Sequence, residues 1–150
     1  KIDNGQFTET VALELNELLK QYMDDYKEVY AYRDIQTEIV EDGIFRVQMN
    51  ESLATILITN LLKNAFVHNI DGGHIRIEIT PRSFTFRNSG VGQPLDEKRI
   101  FERFYQGAKK EGSTGLGLAI VDSICRLQNI GLRYYFENGE HCFEISEEKI

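Results

Sequence analysis

Two asparagines and a histidine recur at four-residue intervals in one segment of the chain, at Asn60, Asn64 and His68. This spacing places the three side chains within about 80° of one another on one face of a helix. Because they interrupt an otherwise apolar segment, we expect something polar opposite them. An asparagine oxygen is a hard, neutral ligand suited to Mg²⁺ that is shared with substrate phosphates. The alternative is a helix whose asparagines cap neighbouring strands or face water.

Two glycine-containing segments follow, and both suit a phosphorylated ligand. In Asn88-Ser89-Gly90-Val91-Gly92 the glycines permit a tight turn, and the amide of Asn88 can accept one hydrogen bond and donate another. Ser113-Thr114-Gly115-Leu116-Gly117-Leu118 opens directly onto an apolar-periodic segment, and the N–H groups at the start of a helix bind anions. An ordinary strand-ending turn and a simple loop-to-helix junction are the alternative explanations.

An aromatic and basic stretch lies between the two glycine segments. Phe101, Phe104 and Tyr105 supply apolar area that can anchor one end of a lid, with core packing as the alternative for Phe101. A polar, glycine-hinged stretch comes next, and its two cations can approach phosphates: Gln106, Gly107, Lys109, Lys110 and Gly112. We therefore expect residues 89–114 to form the loop region of the site.

The order and spacing of these segments resemble the ATP-binding catalytic domain of sensor histidine kinases, over residues 35–145. The resemblance implies ATP and Mg²⁺ as cofactors, with Asn64 as the metal ligand. It also implies that Asn88 takes the place of an aspartate that accepts a hydrogen bond from the adenine amino group. The ligand-binding residues that it implies are Asn60, Asn64, His68, Asn88, Gly90, Gly92, Tyr105, Lys109, Lys110, Thr114, Gly115, Leu116, Gly117 and Leu118.

Several positions distinguish this chain from its relatives. ATPases of the gyrase, mismatch-repair and heat-shock chaperone type carry a glutamate base where this chain has Asn60, which cannot act as a base, and this favours phosphoryl transfer over hydrolysis. Val67 stands where a phosphate-contacting lysine or arginine is common in the kinases, and Ser113 replaces the first glycine of the second box. Together with Asn88, these departures leave open a non-catalytic nucleotide-binding or interaction module with a degenerate site.

The resemblance predicts the ATP-binding part of a kinase without its phosphoacceptor histidine. A sensor kinase needs a phosphoacceptor histidine on a helical hairpin, whereas His68, His74 and His141 all lie inside the predicted nucleotide-binding fold. We expect the chain to position Mg-ATP for transfer of the γ-phosphoryl group to a histidine on a separate dimerisation hairpin, with a response regulator as the onward partner. A serine kinase of the anti-sigma type shares these segments and is a further alternative. The family implies a cytoplasmic domain of a bacterial parent anchored in the inner membrane.

Composition narrows the class of protein. The net charge of -7 argues against nucleic-acid binding, and no run of about 18 apolar residues occurs, so we expect no direct membrane contact. Cys125 and Cys142 lack metal-ligand spacing and fit free thiols. A chain of 150 residues suffices for one core. We expect a helical lead-in at residues 1–30, continuing from an absent hairpin, packed on an ATP-binding domain at residues 31–150.

Hydrophobic periodicity predicts the elements that must position these residues. Helices are predicted at 9–27 (behind Thr8 or Thr10 as N-cap), 51–67 and 115–128, with a short helical stretch near 97–104. Strands are predicted at 35–39, 44–47, 75–79, 84–86, 132–137 and 141–145, joined in pairs by turns at Gly43, Pro81 and Asn138-Gly139. This order favours an α/β two-layer sandwich. The resemblance specifies the Bergerat-type fold, with a mixed sheet, helices on one face and a mobile lid over the nucleotide.

Overall fold

The computed structural model describes residues 9–102 and 116–147. Its strands are β1 (Val11–Glu14), β2 (Gln36–Glu41), β3 (Arg46–Met49), β4 (His74–Ile79), β5 (Ser83–Asn88), β6 (Gly131–Glu137) and β7 (Glu140–Ser146). Its α-helices are α1 (Leu15–Val29), α2 (Glu51–Val67) and α3 (Gly117–Leu127), and a short 3-10 helix spans Ala31–Arg33. Among the described residues, no helix is long and apolar enough to cross a bilayer.

Five of the strands form one mixed sheet in the order β2-β4-β5-β7-β6. β2 runs parallel to β4, and the other three pairings in this sheet are antiparallel. β1 and β3 form a separate two-stranded antiparallel sheet. The helices pack together over one face of the five-stranded sheet, which gives two layers around one apolar core.

Helix α2 lies in the middle of the core because apolar side chains cover most of its circumference. Its N-cap is Asn50, whose side-chain oxygen accepts a hydrogen bond from the backbone N of Leu53 at 3.0 Å. The Asn50 amide also donates to the backbone oxygen of Glu9 at 2.9 Å, which ties the incoming chain to the start of the helix. Burial thus fixes α2, and only a narrow polar stripe is left to meet a ligand.

Most of the predicted elements are confirmed. α2 has the predicted bounds, and the hairpins predicted on either side of Pro81 and Asn138-Gly139 are β4–β5 and β6–β7. The helix predicted at 115–128 is observed from Gly117 to Leu127. The two-layer α/β sandwich with helices on one face is confirmed as well. Most of the residues predicted to form the lid lie outside the described ranges.

The N-terminal helix was predicted to begin too early. It starts at Leu15 rather than at residue 9, with Glu14 as its N-cap, because the preceding residues pair as β1 with Val11 opposite Met49. Thr8, one of the predicted caps, lies outside the described residues, and Thr10 precedes β1. Leu15, Leu19 and Met23 then bury one face of α1 in the common core.

Two further predictions on secondary structure are wrong. The strands predicted at 35–39 and 44–47 do not form a hairpin, because β2 pairs with β4 and β3 pairs with β1. The stretch 97–102 forms turns rather than a helix, with the backbone N of Ile100 donating to the oxygen of Asp96 at 2.9 Å. Phe104, the last residue predicted for that helix, lies outside the described residues.

Candidate functional site

The polar stripe of α2 carries the three side chains that sequence spacing singled out. Asn60, Asn64 and His68 are all half-buried. The Asn60 amide donates to the backbone oxygen of Ile56 on its own helix at 2.8 Å. A Cβ placed on Gly117 would lie 3.1 Å from the Asn60 side-chain oxygen, so the start of α3 packs directly against this stripe. The structure therefore brings one residue of the second glycine box to the asparagine helix.

Asn88, the last residue of β5, has an unsatisfied acceptor. The residue is 2% exposed, and its amide nitrogen donates to the backbone oxygen of Ser89 at 2.8 Å. Its side-chain oxygen is fully buried and has no hydrogen-bond partner among the described residues. A buried acceptor left unpaired costs about 1 to 3 kcal/mol, so this oxygen is a place where a donor from a ligand would be stabilised.

Asn69, just beyond α2, joins the end of that helix to the first glycine box. Its amide donates to the backbone oxygens of Ala65 and His74, each at 3.0 Å. Its side-chain oxygen accepts from the backbone N of Ile70 at 2.8 Å and from the Ser89 hydroxyl at 2.6 Å. Every polar group of this fully buried side chain is paired, and the network fixes β5 against α2.

Two glycines are required by close packing around these residues. A Cβ on Gly73 would collide with the side-chain oxygens of Asn69 and Ser89. A Cβ on Gly90 would lie 2.9 Å from the backbone oxygen of His68 and 3.1 Å from the Cδ2 of His141. Gly90 therefore lets the first glycine box approach the C-terminal end of α2. Gly92 has open space around it, since a Cβ placed there would meet no atom of the described residues within 4 Å.

A buried histidine and tyrosine hold the loop that follows Gly90. The Nε2 of His141 is 2.6 Å from the backbone oxygen of Val91, and its Nδ1 is 2.7 Å from the Tyr134 hydroxyl. The same hydroxyl accepts from the backbone N of Leu95 at 3.0 Å. Both side chains come from the sheet, on β7 and β6, so the loop is fixed to the scaffold at two points.

Arg33 donates hydrogen bonds to backbone oxygens at the C-terminal end of α2. Its guanidinium donates to the backbone oxygens of Phe66 at 2.5 Å, Val67 at 3.2 Å and Asn69 at 2.6 Å. It also forms an ion pair with Asp71 at 2.9 Å. The last carbonyls of a helix have no partner within the helix, and a cation there is favoured by the helix dipole. Arg33 thereby fixes the end of the helix at which His68 lies.

The start of α3 is the described part of the second glycine box. Leu116 precedes the helix and its apolar side chain cannot cap the first turn, while Gly117 and Leu118 begin it. No side chain among the described residues caps this helix start, and its anion-binding role stays a prediction. The predicted contacts Tyr105, Lys109, Lys110, Thr114 and Gly115 lie outside the described residues, as does Ser113. Phe101 is half-buried and meets the ring of Phe143 edge-on at 6.3 Å, which is the core-packing alternative weighed for it.

Neither a carboxylate-rich metal centre nor a reactive thiol is found in the described part of the chain. It contains no group of three or more His, Cys, Asp or Glu side chains able to hold a metal ion. Cys125 and Cys142 are free and buried, and burial raises the pKa of the first thiol to about 12 and that of the second to about 11. These thiols stay protonated at neutral pH.

Sequence reasoning missed Asn69, Arg33, Tyr134 and His141 as residues of the site. A signal existed for His141, since it alternates with the buried Phe143 and Ile145 along β7 and so points into the core. A buried histidine on an apolar strand face requires partners for both ring nitrogens. Arg33 and Asn69 carry no local pattern, because their partners follow from the fold.

Comparison with known proteins gives the family. Residues 49–147 match the model of the histidine kinase-, DNA gyrase B- and HSP90-like ATPases. The sensor histidine kinase RppB of Synechocystis is 31% identical over 121 residues, which cover 73% of this chain and 26% of that protein. The heme sensor protein HssS of Staphylococcus saprophyticus is 30% identical over 141 residues, which cover 86% of this chain and 29% of that protein. The chain thus spans under a third of the length of these relatives.

Solved structures share the fold. The mycobacterial sensor histidine kinase MprB matches with a TM-score of 0.78 and 20% identity, covering 95% of this chain and all of that one. The nucleotide-free catalytic domain of the histidine kinase ThkA matches with a TM-score of 0.80 and 21% identity, and the match covers 94% of this chain and 96% of that one. Because the family match spans residues 49–147, well over half of the chain, the chain belongs to the histidine kinase-, DNA gyrase B- and HSP90-like ATPases, and its ATPase domain is of the sensor histidine kinase type.

Proposed function

We propose that this chain binds ATP between α2 and the two glycine boxes and presents the γ-phosphate to a histidine on a separate domain. The observation that carries the proposal is the buried, unpaired side-chain oxygen of Asn88. An adenine amino group is a donor that would satisfy it. The phosphates would then extend toward the start of α3, where Gly117 meets Asn60.

The orientation of the Asn88 amide supports adenine over guanine. Its nitrogen is engaged with the backbone oxygen of Ser89, so only the side-chain oxygen is offered to a ligand. The exocyclic amino group of adenine donates to such an oxygen, whereas guanine has a carbonyl at the corresponding position and would oppose it with another acceptor. Asn88 therefore supplies the same acceptor as the aspartate usual in this family.

Asn64 would hold the Mg²⁺ that accompanies ATP. Its side chain is half-buried on the same stripe as Asn60, and no group among the described residues hydrogen bonds to its amide. A neutral amide oxygen beside a phosphate site fits this ion, which keeps several waters and takes few protein ligands. When bound, the ion supplies charge neutralisation for the phosphates. Such a source of positive charge is needed in a chain whose net charge is -7.

Asn60 favours phosphoryl transfer over hydrolysis. An amide cannot remove a proton from water, and this one is held by the backbone oxygen of Ile56. Without a base for water, the activity left to the site is to position the nucleotide for another nucleophile. Two of the histidines in this chain are engaged elsewhere, His74 with Glu140 and His141 with Tyr134, which supports a phosphoacceptor on a separate domain.

The partners follow from relatives of the same architecture. ThkA has been solved in complex with the response regulator TrrA, and ShkA in complex with AMPPNP. By analogy we infer a dimerisation hairpin carrying the histidine and a response regulator as the partners of this chain. We also infer that the parent protein is anchored in the bacterial inner membrane, with residues 1–30 leading from the hairpin into the ATP-binding domain.

Calorimetric titration with a non-hydrolysable ATP analogue tests nucleotide binding. We expect binding that strengthens with Mg²⁺, and Asn64→Ala should remove the magnesium dependence while leaving the thermal unfolding midpoint unchanged. Gln48→Ala is a matched control, because Gln48 is an exposed amide on β3, before the start of α2 and outside its polar stripe. Failure of the unaltered chain to bind would overturn the proposal and favour a non-catalytic interaction module. An unchanged metal dependence in Asn64→Ala would remove that residue from the metal site.

Phosphotransfer is tested by supplying a histidine-bearing hairpin in trans. The chain, ATP and Mg²⁺ are incubated with a histidine-bearing dimerisation hairpin from a sensor kinase, and phosphorylated protein is then treated with acid. Phosphohistidine is lost in acid, so acid-labile label on the hairpin is the expected result. Acid-stable label on a serine would instead support the anti-sigma type of kinase.

A further inference from the structure

The loop from Gly90 to Leu95 is held by two side chains of the sheet. Both lie outside the asparagine helix and the two glycine boxes. His141 and Tyr134 are each 5% exposed, and their rings lie 6.0 Å apart in a nearly parallel arrangement. His141 meets the backbone oxygen of Val91 at 2.6 Å, and Tyr134 meets the backbone N of Leu95 at 3.0 Å. The two rings are joined at 2.7 Å through the tyrosine hydroxyl and the His141 Nδ1.

The chemistry of these partners fixes the direction of each hydrogen bond. The carbonyl of Val91 can only accept, so the Nε2 of His141 carries a hydrogen. In the neutral imidazole the Nδ1 is then an acceptor, and it receives the hydroxyl hydrogen of Tyr134. The tyrosine oxygen in turn accepts from Leu95. One arrangement of hydrogens satisfies all of these buried groups, and both ends of the chain of bonds lie on the same loop.

This pair lies directly beside the residue proposed to bind adenine. His141 is the cross-strand partner of Asn88 in the β5–β7 pairing. Its ring also lies so close to Gly90 that a Cβ there would be 3.1 Å from the Cδ2 atom. Val91 and Leu95, the two fixed points, stand on either side of Gly92. The position of the first glycine box relative to Asn88 therefore depends on His141 and Tyr134.

We propose that His141 and Tyr134 are positioning residues for nucleotide binding, which hold the Val91–Leu95 loop in the geometry that receives the adenine ring. They act through the backbone of the loop and do not touch the nucleotide. This inference rests on the proposed function, because it assigns these residues to the same adenine site. It predicts a loss of affinity from changes that leave Asn88 and α2 intact.

The binding half of the test uses the 150-residue chain and a non-hydrolysable ATP analogue with Mg²⁺. Tyr134→Phe keeps the ring and removes the hydroxyl, and we expect about fivefold weaker binding. Tyr135→Phe is the matched control, because that ring lies against Arg133 on the other face of β6, and it should bind like the unaltered chain. His141→Leu should weaken binding about tenfold, and His141→Gln should restore most of it by returning an N–H to Val91.

The loop-holding half is read without nucleotide, by hydrogen exchange at individual amides. The Leu95 amide should exchange faster in Tyr134→Phe than in Tyr135→Phe, since its acceptor is the Tyr134 hydroxyl. Equal exchange in the two variants would overturn the role of the pair in holding the loop. If the unaltered chain binds the analogue and Tyr134→Phe binds equally well, the positioning role is overturned. If the unaltered chain does not bind, the proposed function fails, while the exchange comparison still decides the loop-holding role.

Discussion

The end of α2 and the end of β5 each carry a buried asparagine, and the two amides are in opposite states. Asn69 makes four hydrogen bonds that use both its donors and its acceptor. Asn88 uses its nitrogen once and leaves its oxygen unpaired among the described residues. Ser89 joins them, since its hydroxyl bonds to Asn69 and its backbone oxygen accepts from Asn88.

This difference in hydrogen bonding distinguishes an asparagine that stabilises the fold from one that is available to a ligand. A fully paired amide stabilises the fold and has nothing left to offer a ligand, whereas an unpaired buried acceptor costs stability until a donor arrives. The paired amide of Asn69 fits a structural role, and the unpaired oxygen of Asn88 fits the ligand-binding role proposed for it. Four substitutions test this contrast, and they are expected to change the free energy of unfolding or of binding by different amounts.

The largest effect is expected from Asn69→Ala. Each of its four partners loses one hydrogen bond, so we expect the free energy of unfolding to fall by about 3 kcal/mol. Urea unfolding followed by circular dichroism measures the change. Asn88→Ala is the matched control and should lower the free energy of unfolding by less than about 1 kcal/mol, because one bond is lost and one unpaired acceptor is removed. Equal losses from the two variants would contradict the distinction.

Asn88→Ala should act on binding instead. We expect the affinity for an ATP analogue to fall by about 1 to 3 kcal/mol, measured by calorimetry, because the acceptor for the adenine amino group is gone. Asn88→Asp keeps an acceptor at the same place and should retain adenine binding. A GTP analogue serves as the second ligand. If Asn88→Ala weakened both nucleotides to the same extent, the residue would not read the base.

Gly90→Ala tests how closely the first glycine box must approach α2. The new methyl group would lie 2.9 Å from the backbone oxygen of His68, so we expect a loss of about 1 to 2 kcal/mol in the free energy of unfolding. Gly92→Ala is the control in the same box, since no atom of the described residues lies within 4 Å of the place its Cβ would take. Thermal unfolding of both variants decides the matter. Equal midpoints would mean that the approach at Gly90 is not needed.

Ser89→Ala should have the smallest effect, about 1 kcal/mol in the free energy of unfolding, because one hydroxyl is removed from the junction between the two asparagines. A double-mutant cycle sharpens the result. In the Asn69→Ala background the same change should cost less, since the bond from the hydroxyl to Asn69 is already gone and its contacts with the backbone of His74 remain. Additive losses would show that Ser89 and Asn69 do not act as a unit.

The parts of the fold that are local in sequence could be predicted. α2 was bounded by its apolar periodicity and the turn after Asn69, and Asn138-Gly139 indicated the hairpin between β6 and β7. The pairings of β1 with β3 and β2 with β4 could not be predicted, because their partners are distant in sequence. Val11 fits the helical spacing of Leu15, yet it is a strand residue opposite Met49.

The site divides in the same way. Asn64, Asn88 and Gly90 could be proposed as site residues because they belong to segments with a characteristic order along the chain. Arg33 could not, since its hydrogen bonds to the end of α2 join residues more than thirty positions apart and depend on the packing of α1 beside that helix. Local spacing suggests candidate ligand-binding residues, whereas the residues that support them follow from tertiary structure.

The two-stranded sheet can transmit a pulling force from the N-terminal end of β1 to the rest of the domain. β1 and β3 have four paired residues, so a pull on Glu9 along the strand axis loads their hydrogen bonds in shear, together rather than one after another. Asn50 hydrogen bonds both to the backbone oxygen of Glu9 and to the backbone N of Leu53, so the same force also reaches the first turn of α2. Residues 9–14 are therefore coupled mechanically to α2, the helix that carries Asn64.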